Sequence, residues 1–406
     1  MCVHYSPYDH AVQEDPYPVY AALRNQAPVY RNAQLGFWAL SRHADVAAAF
    51  RDHEVFSGGG PDPGDPLEHS GNSHPPGERD AHRTGSLVSM KPERHAQLRT
   101  VISRSFTPRR AARLEPLITD LAIRYLEPLL ARGTFDFITD LAEPLPLDVI
   151  SELTGVPEAD RDRVRTLILA AQHAEGMPGV GAGEARPGSD LIQYYREMLA
   201  ERQEAPAGDL FSSLAGADMD GEPLTVEEEL GVLQALLAGG RSTGMLLGNA
   251  WYWAWRNPDQ RAVVTKDPDR AAEWIEETLR YDGSSQFVSR TVARDTRLHG
   301  ERIPAGATVL LLAGSANRDP LAFPDPDRYD LDRDTSAMIG FGAGRHLCLG
   351  APLARLTARI VVTELIRRVR DYEIGTEGIR RVRAVNVRGF DRLPTTVSPR
   401  SGRAVW

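Results

Sequence analysis

Only two cysteines occur among the 406 residues. Cys2 sits at an N-terminus expected to fray, whereas Cys348 lies in Phe341-Gly342-Ala343-Gly344-Arg345-His346-Leu347-Cys348-Leu349-Gly350. Gly342 and Gly344 suit a tight loop and would let a flat ligand approach the backbone, because a residue without Cβ takes positive φ at little cost. Helical spacing follows at once in Ala351, Leu353, Ala354, Leu356, Ile360 and Val361. The thiol therefore falls where a loop meets a helix N-terminus, whose unpaired N–H groups and dipole favour a thiolate. With no second cysteine nearby and no C-x-x-C, the pattern is neither a zinc nor an iron–sulfur site. Two readings stay open: the single axial ligand of a haem, or a small inert cysteine packed in a core.

Other residues could serve such a site. His95 and Arg99 are four apart in a helix-like stretch, so they share a face and could grip carboxylates with charge-assisted hydrogen bonds. The longest helical pattern carries Leu237-Ala238-Gly239-Gly240-Arg241-Ser242-Thr243-Gly244 at its middle. Glycines inside a helix cost about 1 kcal/mol each relative to alanine. They must be offset by close packing of another helix, or by approach of something flat or a groove admitting O2.

The pattern Phe-x-x-Gly-x-x-x-Cys-x-Gly, with His346 inside it, resembles the haem-binding signature of the cytochrome P450 family. The resemblance runs from about Asp15 to Val397 and implies a mainly α fold with small β-sheets, a long central helix lying over haem b. On that likeness Cys348 would ligate the iron, while His95, Arg99, Arg290 and His346 would hold the propionates. Phe341, Gly342, Gly350, Ala238 and Gly239 would line the cofactor, with Phe341 packed near the thiolate. Glu277 and Arg280 of a Glu-x-x-Arg, with Arg328 as third member, would form a structural network beneath the haem. The central helix resembles the family's oxygen-activating helix, where an acid and a threonine usually stand at the places of Arg241 and Ser242. A hydroxyl survives at Ser242, or one residue on at Thr243, but Arg241 cannot relay protons as a carboxylate does, since its pKa exceeds 12.

Several elements must position these residues. Asp15-Pro16-Tyr17-Pro18 leads into a short helix through Leu23, and a small hairpin turns around Gly36. Ser41 is expected to cap a helix from Arg42 to Arg51, and Pro92–Arg104 carries His95 and Arg99. Pro108–Leu130 and Leu141–Leu153 are amphipathic helices. Thr225–Trp255 opens on a capping box, Thr225 with Glu228. Glu273–Tyr281 is helical, Gln286–Val292 and the run at Val309–Leu312 are strands, and a helix runs from Cys348 to Arg370. Arg383–Val397 forms short strands whose Gly389-Phe390 turn would enter the pocket. Residues 57–90 and 174–189 are rich in loop-forming residues, and the resemblance makes them flexible segments covering the pocket.

No linker, repeat or low-complexity run divides the chain, so residues 1–406 are expected to be one domain. Composition is ordinary globular, 42% hydrophobic and 25% charged, and the net charge of −9 argues against a nucleic-acid partner. No stretch reaches the ~18 apolar residues of a membrane span. Two cysteines fit a reducing cytoplasm. No flavin or nicotinamide motif is present, so the resemblance implies NAD(P)H electrons delivered through a ferredoxin reductase and a ferredoxin. Arg94, Arg104, Arg109, Arg110, Arg345, Arg355 and Arg359 could form a basic surface steering an acidic ferredoxin. The expectation is a monomeric monooxygenase acting on a small, natural-product-like molecule of secondary metabolism. Phenol coupling, peroxide-driven oxidation and haem binding without turnover are the alternatives.

Overall fold

The computed structural model describes residues 3–57, 92–174, 187–219 and 221–400. The two segments expected to cover a pocket therefore lie almost wholly outside the described residues.

The organising element is the helix Val226–Arg256, 31 residues long, roughly 46 Å at ~1.5 Å per residue. Its start is set locally. The Thr225 hydroxyl accepts from the Glu228 amide, and the Glu228 carboxylate accepts from the Thr225 amide, completing the capping box. Glu228 also takes two 2.7 Å hydrogen bonds from Arg94, which ties the helix Pro92–Ser103 to this end. Gly240, Gly244 and Gly248 form one stripe, i, i+4, i+8, along the helix. A Cβ at Gly240 would lie 2.9 Å from Leu147, one at Gly244 2.5 Å from the Ala142 carbonyl, and one at Gly248 2.7 Å from Ile138. These glycines admit the helix Pro144–Thr154 and the π turn Ile138–Ala142. Gly239 faces elsewhere, with nothing within 4 Å of a built Cβ. Farther along, Trp251 stacks on Phe137 at 5.0 Å and on Tyr372 at 3.5 Å. Each such pair contributes about 0.5–1.5 kcal/mol beyond its buried area.

Around this helix pack Pro144–Thr154, Ala271–Asp282 and Ala351–Arg368, and Glu115–Arg132 packs on the last of these; all share one apolar core. A separate five-stranded sheet runs in the order Val29–Asn32, Phe37–Leu40, Thr308–Leu311, Val288–Val292, Phe56–Ser57. Thr308–Leu311 pairs with Phe37–Leu40 in parallel and the remaining pairs are antiparallel. A three-stranded sheet joins Val369–Ile374, Pro394–Pro399 and Thr134–Asp136. No described helix is long and apolar enough to cross a membrane.

Some expectations shift. Ser41 does not cap; its hydroxyl bonds the Pro28 carbonyl, and the helix His43–Arg51 is capped from afar by Asp319, which accepts from the His43 amide at 2.8 Å. The stretch 108–130 breaks into Pro108–Ala112 and Glu115–Arg132. Gly389 and Phe390 do not enter a pocket. A Cβ at Gly389 would lie 2.7 Å from Met245, and Phe390 is buried against Tyr252, ring centroids 4.7 Å apart.

The glycine stripe and the helix start yield two predictions. Gly244→Ala should lower the urea midpoint by the equivalent of about 1–3 kcal/mol, whereas Gly239→Ala should raise it by about 1 kcal/mol through helix propensity. Glu229, 4% exposed, has its carboxyl pushed up to about 7 by burial and by the neighbouring Glu227 and Glu228. The folded state holds this proton after the unfolded chain has released it, so stability falls as pH rises from ~4.5 to ~7. Glu229→Gln should be more stable than wild type at pH 8, by at most about 3 kcal/mol, and indistinguishable near pH 4 in thermal melts.

Candidate active site

Cys348 sits in a loop pinned at both ends. Its amide donates to the Phe341 carbonyl at 2.9 Å, and Gly344–His346 makes one 3-10 turn before the helix Ala351–Arg368. Gly342 and Gly344 take φ of 73° and 70°. A Cβ at Gly344 would stand 2.7 Å from the Phe50 carbonyl, so this glycine lets the loop press against the helix His43–Arg51. Cys348 keeps accessible surface as a residue, yet the protein atoms packed round it desolvate the sulfur and push its thiol up. The amides of Gly350 and Ala351, and the charges of Arg99 and Arg355, pull it down without reversing the direction. Local geometry thus offers the thiolate donors without securing it. Phe341 lies under the Arg355 guanidinium, 4.6 Å from its ring centre.

Four predicted cofactor residues converge here. His95 and His346 lie ring to ring, centroids 4.3 Å apart, and Arg99 donates to the Leu347 carbonyl. Among the described residues Arg290, 5% exposed on the strand Val288–Val292, makes one side-chain hydrogen bond, to the Ser289 carbonyl at 2.8 Å. Burial lowers it to about 10, with no described carboxylate to counter it. Burial and the surrounding arginines lower both histidines, His346 to about 3. The His95 Nδ1 is buried without a hydrogen-bond partner among the described residues. Two arginines and two histidines crowded together, with no carboxylate against them among the described residues, form a receptor for anions.

Beneath the loop, Glu277 and Arg280 are 1% and 0% exposed and joined by two 2.7 Å hydrogen bonds. Arg328 is not their third member. Its side chain is 65% exposed and its nearest carboxylate is Asp330 at 4.0 Å. Arg333 takes the place, 7% exposed, with Nε 3.4 Å from Glu277 and further bonds to the carbonyls of Pro324, Asp325 and Arg328. Two arginines five residues apart in an irregular stretch carry no periodicity that tells them apart. Arg328 contributes only its carbonyl, which accepts from Arg280 and Arg333.

On the central helix Ala238 and Gly239 are exposed, and the packed glycines lie on other faces. Ser242 and Thr243 each turn their hydroxyl back, to the carbonyls of Ala238 at 3.0 Å and Gly239 at 2.9 Å. Arg241 is half-buried with no ion pair among the described residues.

A cytochrome P450 family model matches residues 271–371. A putative cytochrome P450 123 of Mycobacterium tuberculosis is 44% identical over 399 residues, covering 97% of each chain. A vitamin D(3) 25-hydroxylase of Pseudonocardia autotrophica is 35% identical over 96% of this chain and 95% of its own. The solved structure of cytochrome P450 CYP109Q5 from Chondromyces apiculatus matches with a TM-score of 0.87 at 33% identity, covering 99% of this chain and 100% of that one. The chain belongs to the cytochrome P450 family. It is a P450 monooxygenase with the mainly α fold and small sheets expected. The family implies haem, and this P450 fits it on its own evidence. The cation cluster and the orphaned His95 nitrogen ask for the two carboxylates a porphyrin carries, beside the loop that presents Cys348.

The two arginines should part on mutation. Arg333→Ala should cost about 3–5 kcal/mol, because Glu277 loses a buried partner, while Arg328→Ala should stay within about 0.5 kcal/mol; chemical unfolding of both variants measures it.

Proposed function

We propose that this P450 binds haem b through Cys348 and inserts one oxygen atom of O2 into a small, apolar, natural-product-like molecule, using electrons passed from NAD(P)H by a ferredoxin reductase and a ferredoxin. The observation that carries the reading is the cluster of His95, Arg99, Arg290 and His346 around the Cys348 loop, with no carboxylate against it among the described residues. Bound there, a thiolate-ligated haem supplies the activation of O2 for attack on C–H bonds, alkenes or arenes. The chain's residues bind and orient. The Gly350 and Ala351 amides face the Cys348 sulfur and favour its anion, Arg99, Arg290, His95 and His346 would hold the propionates, and Phe341 packs by the loop. Ala238 and Gly239 form the exposed face of the central helix, suited to close approach of a flat ring.

Ser242 or Thr243 would hold a proton near the reacting oxygen, after releasing the helix carbonyl each now bonds. Arg241 supplies no carboxylate for proton relay. That substitution favours, as a second reading, a reaction needing less proton relay, phenol coupling or peroxide-driven oxidation.

A ferredoxin partner is supported by Arg104, Arg109 and Arg110, which are exposed near the Cys348-side helix Ala351–Arg368 with Arg113 beside them. The surface is smaller than the sequence suggests. Arg94 is neutralised by Glu228, Arg355 by Glu276 at 2.5 and 2.9 Å, and Arg359 by Glu115 at 3.4 Å. A cytoplasmic location agrees with the cysteine content.

The reduced, carbon monoxide-treated holoprotein should absorb near ~450 nm, and Cys348→Ser should lose that band while remaining folded. With ferredoxin, reductase and NADPH, a hydroxylated product should gain one oxygen in mass; loss of two hydrogens instead would establish coupling. A folded wild-type holoprotein without the band would overturn the assignment.

A further inference from the structure

A cleft of about 510 Å³ lies where the segment around Glu14–Ala21 meets the end of the central helix. It shares no residue with the Cys348 site. Behind it Asp282, fully buried, accepts from Tyr17 at 2.6 Å and Arg388 at 2.6 Å on Oδ1 and from Trp253 at 2.8 Å on Oδ2. Three arginines share the wall, and their donors are not all spent. Arg381 lies over the Phe390 ring at 4.2 Å. Its Nη1 pairs with Asp282 Oδ2 at 3.5 Å without making a hydrogen bond, and its other N–H groups make no hydrogen bond among the described residues. Arg388 uses Nη1 on the carbonyls of Gln13 and Glu14, leaving Nη2 without an acceptor among the described residues. Arg318 is clasped between the rings of Tyr17 and Tyr281 at 4.1 and 3.4 Å and bonds Asp327, again with Nη2 unspent among those residues. A guanidinium has five N–H donors and prefers planar, bidentate acceptors.

The interior thus holds three guanidinium groups against the one buried carboxylate and the mostly exposed Asp327. Tyr252 and Trp253 add aromatic surface. Glu14 and Asp15 are exposed at the mouth and oppose multiply charged anions such as phosphates. We propose that this cleft is a second ligand site, taking a small aromatic monocarboxylate with its carboxylate toward Arg381 and Arg388 and its ring against Tyr252 and Trp253. The donors then gain charge-assisted acceptors and the ring fills apolar space, the two demands the empty donors and the aromatic wall present.

The test is calorimetric titration of 2-naphthoate into holoprotein saturated with imidazole, so that the haem pocket is already filled. One saturable site is expected. Arg381→Gln should weaken it at least tenfold. Ala21→Phe, which fills the cleft from the helix Tyr17–Gln26 without touching the Asp282 cluster, should abolish it, with the Soret band and thermal midpoint kept. The neutral 2-naphthalenemethanol should bind at least tenfold more weakly than the acid. Absence of saturable binding to wild type, equal affinity in both variants, or equal affinity for the neutral analogue would each overturn the proposal.

Discussion

Between Ala316 and Ala351 the backbone makes neither strand nor α-helix, only the single 3-10 turn Gly344–His346. Carbonyls along such a path must find donors elsewhere, or the path cannot be buried. Arg280 and Arg333 supply them, bonding the carbonyls of Asn317, Pro324, Asp325, Pro326 and Arg328. Glu277 pairs with both from the helix Ala271–Asp282, and accepts from the Asp330 amide as well. A buried ion pair is weak evidence for stability in itself, because desolvation offsets much of the attraction. Here its effect is geometric: it fixes the route by which an irregular chain reaches Cys348.

The cradle above that route has the opposite electrostatics. The arginines beneath have Glu277 as a partner, whereas Arg99 and Arg290 lie beside His95 and His346 and disfavour their protonation. Two arginines and two ring-nitrogen donors gathered this way make sense as a receptor built for an anionic partner. A similar contrast separates faces of the central helix. Gly240 and Gly244 are consumed by helix packing, while Ala238 and Gly239 are exposed.

Much of the fold and part of the site could be read from local pattern. The capping box at Thr225, the hairpin at Gly36, the helix carrying His95 and Arg99, and the Cys348 loop all follow from residues a few positions apart. Where the partner is distant in sequence, reading failed. Ser41 looked like a cap, but Asp319 performs that role from 276 residues away. Three of the seven arginines of the expected basic surface are cancelled by Glu228, Glu276 and Glu115, each on another helix. Gly389-Phe390 looked like a loop tip and is core, because Met245 and Tyr252 close over it.

The amino-acid order by itself determined the family, the thiol at position 348, the helix starts and the residues available to hold an anion, since these rest on residue types at fixed short spacings. Tertiary structure alone decided which arginine, 328 or 333, joins Glu277, which glycines pack and which stay open, and which charges remain unpaired. Those outcomes depend on which side chains from remote elements arrive at the same place, and burial, not sequence neighbourhood, sets their energies.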